Sequence, residues 1–355
     1  MDFGIFNLVN RRGRDQDPGA VIREAARQTR QAEQAGFGIS WFAEHHYSNY
    51  SLTPSPLLMI AHCATATSRI RLGSGVVLGC LYEPARFVGE VAYTDQLCEG
   101  RLVLGVGSGY QAHELARFGV DLEHARERTD EMLDILDRAF ADGVVEYHGK
   151  HFSLPRTELS VPAYRKGGPA IWLAGNSPES CAIAARHGYP LFSSGFGMPI
   201  KVLADVRGHF ATAWQEAGRK PADMHYGVLR FGYVTDDRAE ALRFADNAQY
   251  QLRLSRFLRK GQTSLDSAFL PEEPVAGEAG PEEIARRNPI GSVSEVVDKI
   301  LAEIEATGPH HFGFIMSMGG MSHAEIMRSI DRFGADVIPA VQKALSAQGS
   351  AAAAQ

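Results

Sequence analysis

Residues able to do chemistry gather in four short stretches of the sequence. Ala43-Glu44-His45-His46-Tyr47 places a carboxyl, two imidazoles and a phenol in succession. An imidazole titrates near neutrality, so it can move a proton or stabilise an anion. On an extended segment neighbouring side chains point to opposite sides, so Glu44, His45 and His46 do not readily make one metal site. Either one histidine faces a ligand while the other packs outward, or both are hydrogen-bonded structural residues. Gly73-Ser74-Gly75-Val76-Val77 puts glycine inside an apolar run, which marks close approach of a ligand or a bulge that helps a sheet close. Gly105-Val106-Gly107-Ser108-Gly109-Tyr110 has the look of a dinucleotide turn, but its third glycine is misplaced for that fingerprint. Its glycines would instead let a planar ring lie against a strand end, with the Ser108 and Tyr110 hydroxyls beside it. Gly175-Asn176-Ser177-Pro178-Glu179-Ser180 opens a helix, as a cap or as a phosphate site built from free amides.

The elements that must position these groups alternate between short apolar strands and longer amphipathic helices, the signature of repeated βα units. Strands are expected over Phe3 to Asn7, Ile39 to Ala43, Arg71 to Leu78, Leu102 to Gly107, Ile171 to Ala174, Leu191 to Ser194, Tyr226 to Thr235 and His311 to Met316. They predict a (β/α)8 barrel, the TIM-barrel fold, as one domain over residues 1–340. Helical stripes such as Met132, Leu133, Leu136 and Phe140, or Val297, Ile300, Leu301 and Ile304, belong to the core. Leu258 to Asn288 breaks the rhythm with Pro, Gly and Glu, and reads as a long insertion before the last strand, a lid or a tolerated loop. Residues 341–355 form a low-complexity tail.

Active sites of such barrels lie at the C-terminal strand ends, where all four stretches fall. His310 and His311 sit at the opposite end of the last strand and are expected to be structural, as are Trp41 and Trp172 within strands. Phe6, Tyr110 and Phe196 would give a substrate pocket an apolar, aromatic lining. A net charge of -6 with acids and bases interspersed argues against nucleic acid. The longest apolar runs fall short of the roughly 20 residues of a membrane helix, which predicts a cytosolic protein. Cys63, Cys80, Cys98 and Cys181 are scattered without a CxxC pair, so neither disulfides nor a metal centre is expected.

Together these stretches resemble the bacterial luciferase-like flavin monooxygenases, particularly the luciferase alpha chain. The likeness runs from Met1-Asp2-Phe3-Gly4-Ile5-Phe6 through Gly36-Phe37, Trp41 to Tyr47 and Leu72 to Leu78, to Asp95-Gln96-Leu97, Gly100-Arg101, Gly107 to Tyr110 and Asn288-Pro289-Ile290-Gly291. The resemblance implies reduced FMN, reaction with O2 to a flavin 4a-hydroperoxide, and oxygenation of a small organic substrate. It places His45 as the catalytic histidine and Gly75-Val76 as a non-proline cis peptide against the flavin ring. Gly107, Ser108, Gly109 and Tyr110 would lie along the cofactor, and Asn176, Ser177 and Ser180 in the phosphate-binding turn. It also implies a separate flavin reductase, since the sequence carries no nicotinamide motif. A homodimer is implied as well, packed through Pro84 to Leu97 with Phe87, Val88, Val91 and Leu97 on its face. Two positions depart from the family. Ser108 replaces an arginine on the phosphate, a role Arg165 or Lys166 could take, and Gly107 replaces the alpha chain's reactive cysteine. The Ser108 departure keeps open a deazaflavin-dependent hydride transfer, and a non-catalytic flavin-binding protein is the third reading.

Overall fold

The computed structural model describes residues 1–260 and 264–353. Eight parallel strands close on themselves: β1 (Asp2–Asn7), β2 (Ile39–Phe42), β3 (Arg71–Ser74), β4 (Leu102–Gly107), β5 (Ala170–Ala174), β6 (Leu191–Ser194), β7 (Tyr226–Phe231) and β8 (His311–Ile315). Each pairs with its neighbours in sequence order, and β8 returns to β1 with Asp2 opposite His311. Helices cover the outside, so the strands are apolar on both faces and β4 and β7 are buried along their whole length. This is the expected (β/α)8 barrel.

The first helix shows how the sequence places its elements. The Asp17 side chain accepts from the amides of Gly19 and Ala20, and Pro18 opens Pro18–Gln34. Small or slender Ala25, Gln28, Thr29 and Ala32 form its buried stripe, and Gly36 ends it at φ 89°.

Large rings fill the lower barrel, and the surrounding strands make room with glycine. Trp41 is 1% exposed, with ring centroids of Phe192 at 5.0 Å, His311 at 5.7 Å and Trp172 at 5.9 Å. A Cβ on Gly73 would stand 2.4 Å from the Trp41 ring, and one on Gly227 would stand 2.8 Å from Trp172. Trp41 Nε1 donates to His311 Nε2 at 3.0 Å, and His311 Nδ1 lies 2.9 Å from Asp2. Burial lowers the pKa of His311, so the neutral ring joins a donor above to an acceptor below. His311, Trp41 and Trp172 are thus the barrel's floor.

Three segments depart from the sequence reading. The run Arg71 to Leu78 is interrupted after Ser74, because the Gly75-Val76 peptide is cis and turns the chain away from β2. Only Val77–Leu78 resumes pairing, with β4 alone. Tyr226 to Thr235 divides at Gly232, where a Cβ would meet the Phe314 ring at 2.8 Å, and Tyr233–Val234 pairs instead with Ile290–Gly291. The alanine-rich end continues a helix over Ile338–Ala353, with Val341 fully buried. An antiparallel hairpin, Val144–His148 with Ser153–Glu158, lies outside the βα rhythm and was not expected. All four cysteines are buried thiols, and burial pushes Cys63 and Cys80 up to about 12.

Barrel closure between β3 and β4 depends on Gly105, whose Cβ would stand 2.0 Å from the Ser74 carbonyl oxygen. Gly105→Ala is expected to cost about 3 kcal/mol by denaturant titration, because backbone must move. In Ile200–Glu216, a Cβ on Gly208 would have no neighbour within 4 Å, so Gly208→Ala should stabilise by up to about 1 kcal/mol.

Candidate active site

The upper mouth of the barrel collects the strand ends that carry the four stretches. His45 and His46 follow β2 and point apart, each against its own carboxylate. His46 Nε2 is 3.0 Å from Glu44 Oε1, and the other Glu44 oxygen accepts from the Leu78 amide at 2.8 Å and the Tyr82 hydroxyl at 3.0 Å. Glu44 therefore stitches the end of β2 to the short strand beyond the cis peptide.

His45 turns the other way. Its Nδ1 lies 3.2 Å and 3.3 Å from the two oxygens of Glu114, and one of these also accepts from the His46 amide at 2.7 Å. Glu114 is wholly buried. Burial works to raise its pKa, but His45 and the His46 amide outweigh it and hold the carboxyl below its usual range. The ionised carboxylate calls for Nδ1–H as donor, with the Gln111 side-chain amide also 3.1 Å from that nitrogen, and no described residue bonds Nε2. Tyr50 stands edge-on to the His45 ring at 4.7 Å, and the Tyr110 hydroxyl donates to that of Tyr50 at 3.1 Å. Burial, followed by Tyr110, raises the Tyr50 pKa, so this phenol stays protonated. Arg259 lies over the Tyr110 ring at 4.4 Å.

The remaining positions fall on neighbouring strand ends. A Cβ on Gly75 would meet Phe6 at 2.5 Å, and one on Gly107 would meet Val76 at 2.7 Å, so Phe6, Gly75, Val76 and Gly107 form one patch. Ser108, Gly109 and Tyr110 continue it, half-buried. Asn176 is committed to the protein: its amide donates to the Ser194 carbonyl, and its carbonyl accepts from the Ser193 hydroxyl and the Ser194 amide. Ser177 caps Pro178–His187 by accepting from the Ser180 amide at 3.2 Å, with the two hydroxyls also 3.2 Å apart. Phe196 stands at the end of β6, edge-on to Phe231 at 5.4 Å, apart from Phe6 on β1.

Two sequence expectations are corrected. Arg165 and Lys166 are exposed before β5, with Arg165 beside Gly100 before β4, so they occupy the lower face and cannot reach the mouth. Phe87, Val88 and Val91 are fully used against the barrel, which leaves Leu97, joined by Tyr93 and Leu58, as the exposed apolar side chains there. Among the described residues His124, Glu127 and His151 come close enough to share a cation. Lys150 Nζ already holds Glu127 at 2.6 Å, and the cluster takes no part in the site.

Sequence reasoning missed Glu114, Gln111 and Arg230. Glu114 and Gln111 sit beyond the glycine-rich stretch and appear unremarkable in the sequence. Arg230, fully buried near the end of β7, donates to the carbonyls of Gly195, Met198 and Arg287, and its Nε lies 2.9 Å from Glu303. It braces the loop that carries Phe196. A polar residue inside an otherwise apolar strand was its one signal.

The site is a strand-end histidine backed by a buried carboxylate at the catalytic face of a parallel barrel, which places the protein among barrel enzymes. The luciferase-like monooxygenase family matches residues 1–311, and the chain belongs to that family. The protein y4vJ of Sinorhizobium fredii is 40% identical over 97% of this chain and 99% of its own. The oxygenase component of flavin-dependent trigonelline monooxygenase from Acinetobacter baylyi is 27% identical, covering 96% and 95%. Among solved structures, monooxygenase RslO1 from Streptomyces bottropensis superposes with a TM-score of 0.84 at 22% identity, covering 96% and 99%. The oxygenating constituent of 3,6-diketocamphane monooxygenase from Pseudomonas putida, in complex with FMN, gives 0.79 at 21%, covering 96% and 98%. An F420-dependent secondary alcohol dehydrogenase gives 0.73 at 20%, covering 96% and 98%. At these identities the structures speak for the shared fold alone.

Because its pKa is depressed, ionised Glu114 contributes stability above the unfolded value of about 4.5, and this is lost as pH falls through the lower folded value. Glu114→Gln should cost about 1–3 kcal/mol at pH 7 by denaturant titration. It should also make stability fall less steeply than wild type between about pH 5 and pH 3.

Proposed function

We propose that this chain is the oxygenase of a two-component flavin monooxygenase, taking reduced FMN from a separate reductase and using O2 to oxygenate a small organic substrate. The observation that carries the reading is His45 at the barrel mouth, held through Nδ1 by buried Glu114, with Nε2 bonded by none of the described residues. Family membership supports it, and the relative named as an oxygenase component supports a separate reductase.

The residues fit reduced FMN. Positions 75–76, 108–110 and 174–177 remain partly exposed on adjacent strand ends of an otherwise buried sheet. Gln111 Oε1 is buried there without a partner among the described residues. Gly75, Val76, Gly107, Ser108, Gly109, Tyr110 and Phe6 would hold the ring. Ser177, Ser180 and the free amides of their helix would take the phosphate, with Asn176 fixing the turn. Arg126, 4.0 Å from Glu179 in that helix's first turn, brings the positive charge that Ser108 lacks. Bound reduced flavin supplies the electrons that activate oxygen. His45 Nε2 would hold or deliver a proton beside the cofactor, and Glu114 would keep the imidazole in place to do so.

Phe6 and Phe196, at the ends of strands separated by two others, would each give the mouth an aromatic wall. Residues 264–280 cover the mouth: the Asn49 carbonyl oxygen of its side chain accepts from Leu270 N at 3.1 Å, and Arg14 pairs with Asp266 at 2.8 Å. We read this segment as a lid that excludes water. Two copies would pair through Leu58, Tyr93 and Leu97. No helix among the described residues is long and apolar enough to cross a membrane, in keeping with work in the cytosol. A second reading, hydride transfer with a deazaflavin, is favoured by Ser108 in place of a phosphate-binding arginine, and the fold it needs is shared with an F420-dependent enzyme.

Stopped-flow mixing of the protein and photoreduced FMN with oxygenated buffer tests the reading. Oxidised-flavin absorbance should return at least about 10-fold more slowly than for free FMN, and His45→Ala should remove most of that delay. Return at the free-FMN rate would favour the deazaflavin reading. Deleting residues 264–280 should leave FMN oxidation running while product per flavin oxidised falls several-fold, as measured by oxygen uptake against product once a substrate is in hand.

A further inference from the structure

We propose that the cavity beside His45 is a carboxylate-binding substrate pocket, in which Arg11 and Ser48 hold the substrate's carboxylate. The proposal rests on the reading above, which makes the space next to His45 the place of reaction. The cavity, of about 380 Å³, lies between the segment after β2 and residues 267–269. That volume suits a molecule built on one or two rings.

Its polar wall is incomplete without an anion. Arg11 lines the cavity half-buried, and no carboxylate lies within 4 Å of it among the described residues. Its neighbours are paired: Arg12 with Asp246 at 2.5 Å and with Glu272, and Arg14 with Asp266. Arg11 keeps only a bond from Nη2 to the Arg14 carbonyl at 2.9 Å and the Phe269 ring face at 5.0 Å, and its Nε is buried without a partner. Ser48, also lining the cavity, is 4% exposed, and its hydroxyl has no partner among the described residues. A native fold tolerates such groups where a ligand completes them. A neutral polar ligand would satisfy Ser48 and leave the cation unpaired, whereas a carboxylate accepts from both, and its planar oxygens match the guanidinium fork. Leu52, Pro54 and Phe269 supply apolar wall for the organic body.

The backbone around the cavity is built for this placement. Arg11 is held at both ends of its peptide by Asn49, which accepts from the Arg11 amide at 3.1 Å and donates from Nδ2 to its carbonyl at 3.0 Å. Three of the five non-glycine residues with positive φ among the described residues line the cavity: Tyr47, Ser267 and Ala268. Such conformations persist where surrounding structure enforces them, and they gather at binding sites.

The test uses the full chain, with and without FMN, and benzoate as probe against its neutral isostere benzamide, read by calorimetric titration at constant ionic strength. Benzoate should bind at least about 10-fold more tightly than benzamide. Arg11→Gln should weaken benzoate by about 10-fold or more, with little change for benzamide. Arg11→Lys should recover part of the loss, and Ser48→Ala should cost about 3- to 10-fold, which keeps the test usable should Arg11→Gln misfold. Equal binding of the two probes, or benzoate binding unchanged in both Arg11→Lys and Ser48→Ala, overturns the proposal. Arg11-dependent benzoate binding by a protein that leaves FMN oxidation unaltered would keep the anion site and remove the monooxygenase reading. Slowed FMN oxidation without benzoate preference would do the reverse.

Discussion

Trp41 can stand inside the barrel only because the strands facing it give up their side chains. Gly73 and Gly105 lie against its ring, and its indole N–H finds an acceptor in the neutral His311 ring, itself held by Asp2. Everything above this floor inherits its spacing. The same two glycine strands continue upward into the Gly75-Val76 peptide and the Gly107 to Tyr110 stretch, so the packing that closes the lower barrel also sets how near two backbones come at the mouth. A side chain at Gly105 would disturb both levels, since it would collide with the carbonyl of Ser74, the residue just before the cis peptide.

Above the floor, two carboxylates organise the mouth. Glu44 gathers the end of β2, the short strand Val77–Leu78 and Tyr82, while Glu114 reaches back to both histidines. Neither carboxylate faces bulk water, and each is satisfied by several donors, the condition under which buried charge brings order rather than instability. The outcome is an imidazole whose position is set by the protein before any ligand arrives.

The barrel was legible because burial on both strand faces leaves continuous apolar runs at regular spacing, and helix stripes between them admit few other folds. The strand breaks left no mark on hydrophobic pattern: the Gly75-Val76 cis peptide was legible only through family resemblance, and the glycine contact with Phe314 not at all. His45 could be singled out by its place at a strand end, whereas Glu114 could not. Its partner stands 69 positions earlier, and a glutamate on a short helix is ordinary until the fold buries it. The Arg165 and Lys166 suggestion failed for a related reason. Closeness in sequence to the phosphate turn placed them one strand length away, at the wrong end of β5.

The covering segment, residues 264–280, meets the barrel largely through arginines. Arg12 and Arg14, on the loop after β1, engage Glu272 and Asp266, while Arg253 holds Glu278 with three bonds from two nitrogens. No barrel strand depends on these contacts. Sequence change in this segment can therefore alter the cover while the histidine, its carboxylate and the glycine strands stay as they are. The proposed lid and the proposed catalytic histidine thus rest on different elements of one chain, so a lineage could alter the cover without rebuilding what lies beneath it.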